Sequence, residues 1–434
     1  MKNKDIDNSR RDFFRKSLSF GSAVTAGALL GNSSLSAKEL GEKQILDIPE
    51  WSSKLGEKTT KYPYGVPSPY EHNNVRRQHS LLSSGDEYAT VTMTPLHESE
   101  GIITPNGLFF TRNHGGTAHI DPKEWRLMIH GLVEKEIVLT LDQLKKYPSE
   151  TRIYFIECPA NGSTGWRGPQ FNNLQFMKGM MSCAAWTGVM LKTVLKDLGL
   201  KPNAAWMLSE GMDNASNPRT IPVEKALDDA MLVWGQNGEA LRPEQGYPVR
   251  LLVPGWEGNL NTKWLKRLEF SDSPWHSKEE TSKYTMLQKS GKAIRYFWVN
   301  EINSVITSPC PQKPWTDLEI GDMVEIEGLA WSGHGTIKGV DISFDGGDNF
   351  VEASLKGLVL PKAWTRFSYI YKWDGKPILL SSRAYDDAGN VQPTIDQETS
   401  AVGVESIYHR NPMVTWEVAS NGEVNNVHVR KHFK

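Results

Sequence analysis

The chain has 434 residues, a formal net charge of −2 and 23% charged residues. That length exceeds one ordinary core and points to two folded domains with extensions, while a near-neutral balance with no dominant basic patch excludes nucleic acid as the expected partner. Fifteen tryptophans suit a large enzyme core or an aromatic-lined site, and only three cysteines, Cys158, Cys183 and Cys310, exclude a disulfide scaffold.

The first stretch reads as a targeting segment. Ser9-Arg10-Arg11-Asp12-Phe13-Phe14 is a twin-arginine pattern, followed by an uncharged segment from Leu18 to Ala37 interrupted by Gly21, Gly27 and Gly31. That makes a poor membrane span and a good twin-arginine leader over 1–37, so export to a bacterial periplasm as a folded, cofactor-loaded protein is expected, with no membrane span in the mature chain. Residues 38–95, punctuated by Pro63, Pro67 and Pro69, read as an extended arm that wraps a domain or a partner.

From Thr94 the pattern tightens. A Pro105-Asn106-Gly107 turn precedes a short apolar strand that ends in Arg112, Asn113, His114 and two glycines, a combination that lets a ligand approach the backbone beside polar groups. Arg126 to Gly131 alternates as a strand, and Leu141 to Tyr147 reads as a short helix. Ile153 to Ile156 is an apolar strand that delivers Cys158 to a Pro-Ala-Asn-Gly loop. Leu191, Val194, Leu195 and Leu198 form one face of a helix closed by Gly199. Trp206 to Glu210 is a strand, Val223 to Leu232 a helix, and Gly246 to Gly255 a strand bounded by prolines. It feeds a polar loop, Trp256 to Trp264, whose Gly, Asn, Thr and Lys suit a phosphate although the Walker spacing is absent. After about residue 300, short strands separated by Asp-Gly turns suggest a β-sandwich.

Cys158 is the residue whose chemistry is least explained by packing alone. No second cysteine and no paired histidines lie near it, so zinc is not expected. A cysteine nucleophile would need a histidine base, and His114 and Asn161 belong to no recognised signature for one. A lone thiolate suffices as a metal ligand when the cofactor brings the other ligands; otherwise it is a buried structural thiol. Residue chemistry leaves both readings open. There is no C-x-x-C-H, so no covalent c-type haem sits on this chain.

A family resemblance bears on that choice. Phe110-Thr111-Arg112-Asn113-His114, Glu157-Cys158-Pro159-Ala160-Asn161-Gly162, Ala185-Trp186-Thr187-Gly188-Val189, Gly246-Tyr247-Pro248-Val249-Arg250, Val253-Pro254-Gly255 and Thr262-Lys263-Trp264-Leu265 occur in that order. Together they resemble the sulfite oxidase family of molybdenum enzymes over roughly Thr94 to Ile407. Gly238 to Arg250 and Glu279 to Thr285 resemble more narrowly its sulfane-dehydrogenase branch.

The resemblance implies an α+β fold: a sulfite-oxidase-type molybdopterin-binding domain over 96–295, an immunoglobulin-like β-sandwich dimerisation domain over 296–425, and a tail at 426–434. It implies a Mo-molybdopterin cofactor with Cys158 as metal ligand. Arg112, Asn113, His114, Asp213, Gln245, Arg250, Asn261, Thr262 and Lys263 would contact the cofactor, and Tyr284, with Cys158 and Arg112, would serve the reacting side. It further implies oxygen-atom transfer to sulfur bound on a carrier protein, with electrons passing to a c-type cytochrome subunit and a homodimeric or heterotetrameric core. Free sulfite is the alternative substrate, as in a periplasmic sulfite dehydrogenase, and a metal-free secreted binding protein of the same fold is the alternative outside the enzymes. Gly162 and Ser163 stand where sulfite-oxidising relatives place arginines, which weakens a small dianion's hold and favours carrier-bound sulfane. Arg112, Arg152, Arg167 and Arg219 are the cations left that could approach the metal, and Gln245 stands where vertebrate sulfite oxidases have histidine. His119, His276, Cys183 and Cys310 read as surface or packing residues.

Overall fold

A computed structural model describes residues 54–79 and 88–430. The expected leader, the arm up to residue 53 and the last four residues lie outside the described residues. Of the described residues, 72–316, 326–369 and 377–430 belong to one compact unit that holds the cavity described below, and 317–325 and 370–376 cluster separately with 54–71. Among the described residues, no helix is long and apolar enough to cross a membrane.

The chain enters through β1 (Val91–Thr92), which pairs antiparallel with β2 (Thr111–Arg112) and so sets Arg112 opposite Val91. Next come β3 (Leu127–Gly131), β4 (Ile137–Leu139), helix α1 (Leu141–Leu144), β5 (Glu150–Glu157), helix α2 (Leu174–Lys178), β6 (Met181–Met190) and helix α3 (Leu191–Leu198). They are followed by β7 (Trp206–Gly211), β8 (Arg219–Pro222), helix α4 (Val223–Asp228), β9 (Met231–Gln236), β10 (Glu239–Ala240), β11 (Arg250–Leu252) and β12 (Leu265–Ser271). Two five-stranded sheets result, one ordered β10-β9-β6-β5 with β11 also on β9, the other β4-β3-β12-β7-β8. Helix α3 buries the four residues expected from its spacing, and it packs in the core beside Val189, Leu232, Leu251 and Leu265.

Local reading of the chain erred where apolar runs had no period. Val223 to Leu232 is not one helix: α4 ends at Asp228, and Met231 and Leu232 open strand β9, buried between β6 and β11. A strand paired on both edges and covered on both faces carries no alternation to distinguish it from a helix. The expected strand from Gly246 to Gly255 shrinks to the three residues of β11, because Pro248 and Pro254 on either side have no N–H to donate to a ladder.

Helix α5 (Lys278–Thr281) and the β13–β14 hairpin (Met286–Leu287, Ala293–Ile294) connect to the sandwich. Its strands are β15 (Asn303–Ser308), β16 (Met323–Trp331), β17 (Ile337–Ser343), β18 (Val351–Glu352), β19 (Ser354–Lys356), β20 (Thr365–Lys372), β21 (Ile378–Asp386), β22 (Thr415–Val418) and β23 (Val424–Val427), with helix α6 (Ile395–Val402) inserted before β22. The sheets are ordered β15-β16-β20-β19 and β18-β17-β21-β22-β23. Trp331, Trp364, Phe367 and Trp416 are fully buried, and Trp416 Nε1 on β22 donates to Ile306 O on β15 at 3.0 Å, joining the two sheets.

Gly255 shows why the Val-Pro-Gly stretch ends in glycine. Its φ is +75°, and a Cβ there would lie 2.4 Å from the Gly333 carbonyl oxygen, at the end of β16. Gly255→Ala therefore costs both left-handed strain and a backbone clash, about 2–4 kcal/mol. The expected outcome is a melting temperature lower by about 5–10 °C in differential scanning fluorimetry.

Candidate active site

Strand β5 positions Cys158. Its register against β6 sets Glu157 opposite Met181, and the chain then turns so that Cys158 N–H donates to Met180 O at 3.0 Å. Asn161 ties the turn: its N–H donates to Cys158 O, its side-chain amide donates to Glu157 Oε1 at 2.8 Å, and its Oδ1 accepts from Met180 N–H. Glu157, fully buried and displaced upward in pKa by desolvation, accepts Trp331 Nε1 at 2.7 Å, so the thiol's loop is anchored to the sandwich. Gly258 of the polar loop lies flat against this turn: a Cβ there would meet Glu157 O at 2.9 Å and Cys158 Cα at 3.4 Å.

The site candidates drawn from the sequence line one cavity: Cys158, Arg112, Asn113, His114, Asp213, Gln245, Arg250, Asn261, Thr262, Lys263 and Tyr284. These come from parts far apart in the chain: the β2 end, the β5 end, the turn after β7, the turn after β10, β11 and the loop that follows it, and the loop after α5.

Three cations face a desolvated space. Arg250 donates to Gln245 O at 3.1 Å and to Asn261 O at 2.9 Å, and its Nε is buried with no partner. Burial draws its pKa down to about 9. Lys263 reaches Asn113 Oδ1 and Glu244 O, and burial followed by the neighbouring Arg250 draws it down to about 7. Asp213 on the same wall is pushed upward by burial. Arg112 spends one guanidinium nitrogen on Asn113 O at 2.7 Å and on Thr90 O at 3.4 Å. Among the described residues, Arg112, Arg250 and Lys263 form no ion pair with a carboxylate. Buried, uncompensated cations are costly, and an anion in the cavity removes that cost.

Asn261 and Thr262 are held more than they are free. Asn261 Oδ1 accepts Val253 N–H at 2.7 Å and its amide donates to Glu257 O at 3.0 Å, while Thr262 Oγ1 pairs with Ser209 Oγ at 2.8 Å. Their work is to shape the loop that presents backbone N–H groups. Gln245 donates to Phe110 O at 3.0 Å and bridges Arg250 to the β2 segment.

On the other wall, Tyr284 sits at φ +32°, a left-handed strain for a bulky residue, and is buried. Its hydroxyl is 2.9 Å from His114 Nε2. Burial, with Arg112, Lys283 and Lys263 around it, draws His114 down to about 3, so the imidazole is neutral. Arg219 lies 4.8 Å over the Tyr284 ring and is itself buried against Glu280 at 3.0 Å and Glu257 at 3.6 Å. Burial raises the Cys158 thiol to about 11, so the free thiol is protonated and a poor nucleophile at neutral pH. One such sulfur beside three anion-seeking cations fits a group that carries its own metal ligands and a phosphate.

The remaining sequence-stated cations do not reach the cavity. Arg152 is exposed and paired with Glu150, and Arg167 is exposed on the 3-10 turn after Cys158. Arg219 is committed beneath Tyr284. Cys183 and Cys310 are buried and all three cysteines are free, so no pair bridges; His119 and His276 are exposed. Sequence reading missed Tyr408 and His409, because nothing local marks residues that arrive from the segment after α6.

Comparison with known proteins agrees with this geometry. A family model described as oxidoreductase molybdopterin binding domain matches residues 114–279, and one described as Mo-co oxidoreductase dimerisation domain matches 295–415. The chain is similar to mitochondrial sulfite oxidase of Rattus norvegicus, 30% identical over 76% of this chain and 64% of that protein. It is also similar to the human enzyme, 31% identical over 68% of this chain and 58% of that one. The chain thus spans about three fifths of the length of these relatives. Among solved structures, the sulfane dehydrogenase SoxCD from Paracoccus pantotrophus superposes with a TM-score of 0.86 at 44% identity, covering 89% of this chain and 98% of that one.

The cations predict a measurable coupling. In cofactor-free protein, an anion stabilises charged Lys263, so its binding above pH 7 takes up a proton. Sulfate affinity is expected to fall with rising pH, by up to about tenfold per unit above pH 7. Isothermal titration in buffers of different ionisation enthalpy reads the proton uptake, and Lys263→Met abolishes it.

Proposed function

The chain belongs to the sulfite oxidase family of molybdopterin-dependent oxidoreductases, and from that premise we propose that it oxidises sulfane sulfur bound to a carrier protein. We place it in the periplasm, exported by the twin-arginine leader at 1–37, passing electrons to a c-type cytochrome subunit. Its catalytic domain spans 96–295, and a sandwich over 296–425 joins two copies or a heterotetrameric core.

The observation that carries the substrate reading is Gly162. Its φ is +80°, and a Cβ there would lie 2.9 Å from Lys178 Nζ and 3.3 Å from Arg410 O. The space an arginine would use is filled: Lys178 lines a separate depression, and Arg410, which also reaches a small depression shared with Cys158, is paired with buried Glu398 at 2.6 Å. With Arg250 and Lys263 on the phosphate side, Arg112 is the cation left for the reacting side. A small dianion gains from several cations, whereas a sulfur chain on a carrier gains from open, weakly charged walls. The 44% identity to a sulfane dehydrogenase supports the same reading.

When bound, the Mo-molybdopterin cofactor supplies oxygen-atom transfer and two-electron redox chemistry. Cys158 is the protein's ligand to the metal. Arg250, Lys263 and the backbone of Gly258 to Lys263 hold the phosphate, with Gln245 bracing Arg250. Asn113 and Asp213 set the position and charge of Lys263. Tyr284 keeps its proton, because burial raises its pKa. When the neutral His114 donates from Nε2, the Tyr284 proton is free to turn toward the reacting oxygen. Arg219 beneath the ring and His114 at the hydroxyl fix the side chain from two directions.

Purified full-length protein, assayed with ferricytochrome c against sulfite and against a thiosulfate-loaded carrier, is expected to turn over the carrier in preference; turnover of sulfite alone overturns the substrate reading. Cys158→Ser is expected to lower molybdenum retention and activity by at least about 100-fold, read by metal analysis and by loss of the sulfur-to-metal absorption band. Tyr284→Phe removes one aimed donor and is expected to lower kcat by about 10- to 100-fold with molybdenum content unchanged.

A further inference from the structure

The segment after α6 crosses directly over the Cys158 turn. His409 N–H donates to Pro159 O at 2.8 Å, and Trp166 Nε1 donates to Tyr408 O at 3.2 Å, so the Tyr408–His409 backbone is pinned on both sides. His409 has φ +57°, uncommon for a residue with a side chain. That twist sends neighbouring side chains apart: His409 Nε2 lies 2.8 Å from buried Glu257 Oε1, while the Tyr408 ring lies 5.5 Å from the Tyr284 ring, tilted by 35°. Tyr408 is half-buried, and among the described residues its hydroxyl has no hydrogen-bond partner. Burial raises its pKa, and Cys158 and Arg112 are the next groups that its hydroxyl feels. Strain maintained by this many anchors is a mark of a functional position.

We propose that Tyr408 is a specificity-determining residue whose ring, packed on Tyr284, extends the aromatic wall beside Cys158 that sulfane sulfur meets on its way to the reacting side. This rests on the carrier-bound sulfane reading above. Divalent sulfur is polarisable and packs favourably on aromatic rings, and an uncharged phenol imposes no desolvation of a bound cation. A sulfite dianion gains nothing from such a wall. The residue comes from the C-terminal segment, so the sandwich contributes directly to substrate choice.

The test uses molybdenum-loaded full-length enzyme with ferricyanide as acceptor. Its two probes are sulfite and a short single-cysteine peptide loaded as the persulfide. Tyr408→Leu is expected to raise KM for the peptide about five- to tenfold, the scale of one aromatic contact, with kcat within about twofold and the KM for sulfite unchanged. Calorimetry without acceptor should show the same loss in peptide affinity. Tyr408→Phe should stay close to wild type. Tyr408→Arg supplies the missing cation and is expected to invert the preference, lowering KM for sulfite by about tenfold. Molybdenum content and melting temperature report whether each variant is folded and loaded; if Tyr408→Leu is not, Tyr408→Arg and calorimetry decide. Equal changes for both probes, no change in KM, or a fall in kcat alone overturns the role of Tyr408 while leaving the sulfane reading intact. Wild-type enzyme that turns over sulfite and not the peptide overturns the sulfane reading, and the proposal with it, before any variant is compared.

Discussion

Arg250 and Lys263 are charged side chains in a space from which water is largely excluded, with only neutral oxygens for partners. Everything around the cavity follows from that unfavourable placement. A guanidinium whose nitrogens donate to Gln245 O and Asn261 O is positioned but not neutralised. A lysine drawn down to about 7 by burial is close to giving up its proton at physiological pH. Both conditions are reversed by a bound phosphate. The folded chain is thus arranged for an anionic cofactor, whose binding would add to its stability.

The opposite wall solves a different problem. A sulfur ligand has to be held still without being made reactive. Cys158 sits at the end of a buried strand, its thiol pushed upward by burial, its turn tied by Asn161 and its neighbour Glu157 bonded to Trp331 in the sandwich. The two sets of sheets are therefore not a catalytic part and a separate handle. Trp331 and His409 join them at the Cys158 turn, with the Gly255–Gly333 approach beside it, and a disturbance in the sandwich reaches the site through rigid, buried contacts.

Charge is distributed unevenly between the two walls. The phosphate wall holds Arg250 and Lys263; the reacting wall holds two tyrosines, a neutral imidazole and one arginine. Arg219, which by sequence alone was a candidate for the substrate side, is instead buried between Glu257 and Glu280 with the Tyr284 ring on its face. A cation so committed orients a side chain and does little to attract a free anion. This asymmetry is what supports the proposed preference for a sulfur chain over a small dianion.

The residues that touch the cavity were legible in the sequence because they lie in short, ordered stretches: Arg112 to His114, Cys158 to Gly162, Arg250 and Asn261 to Lys263. Turn formers, a strand end and a lone thiol mark such stretches locally, and the ordered resemblance gave them a shared purpose. Helix α3 was legible for the same reason, since its period is a local property. Strand β9 was not, because a strand covered on both faces carries no alternation. Nor were Tyr408 and His409, which sit in an unremarkable run more than a hundred residues from Tyr284 and gain meaning only where the chain folds back over Cys158. Sequence by itself determined which groups the site is made from. Tertiary structure decided which of them are free to act: it placed Arg219 beneath a ring, filled the space beside Gly162 with Lys178, and packed a second tyrosine on Tyr284, because burial and partner choice depend on contacts that no local pattern encodes.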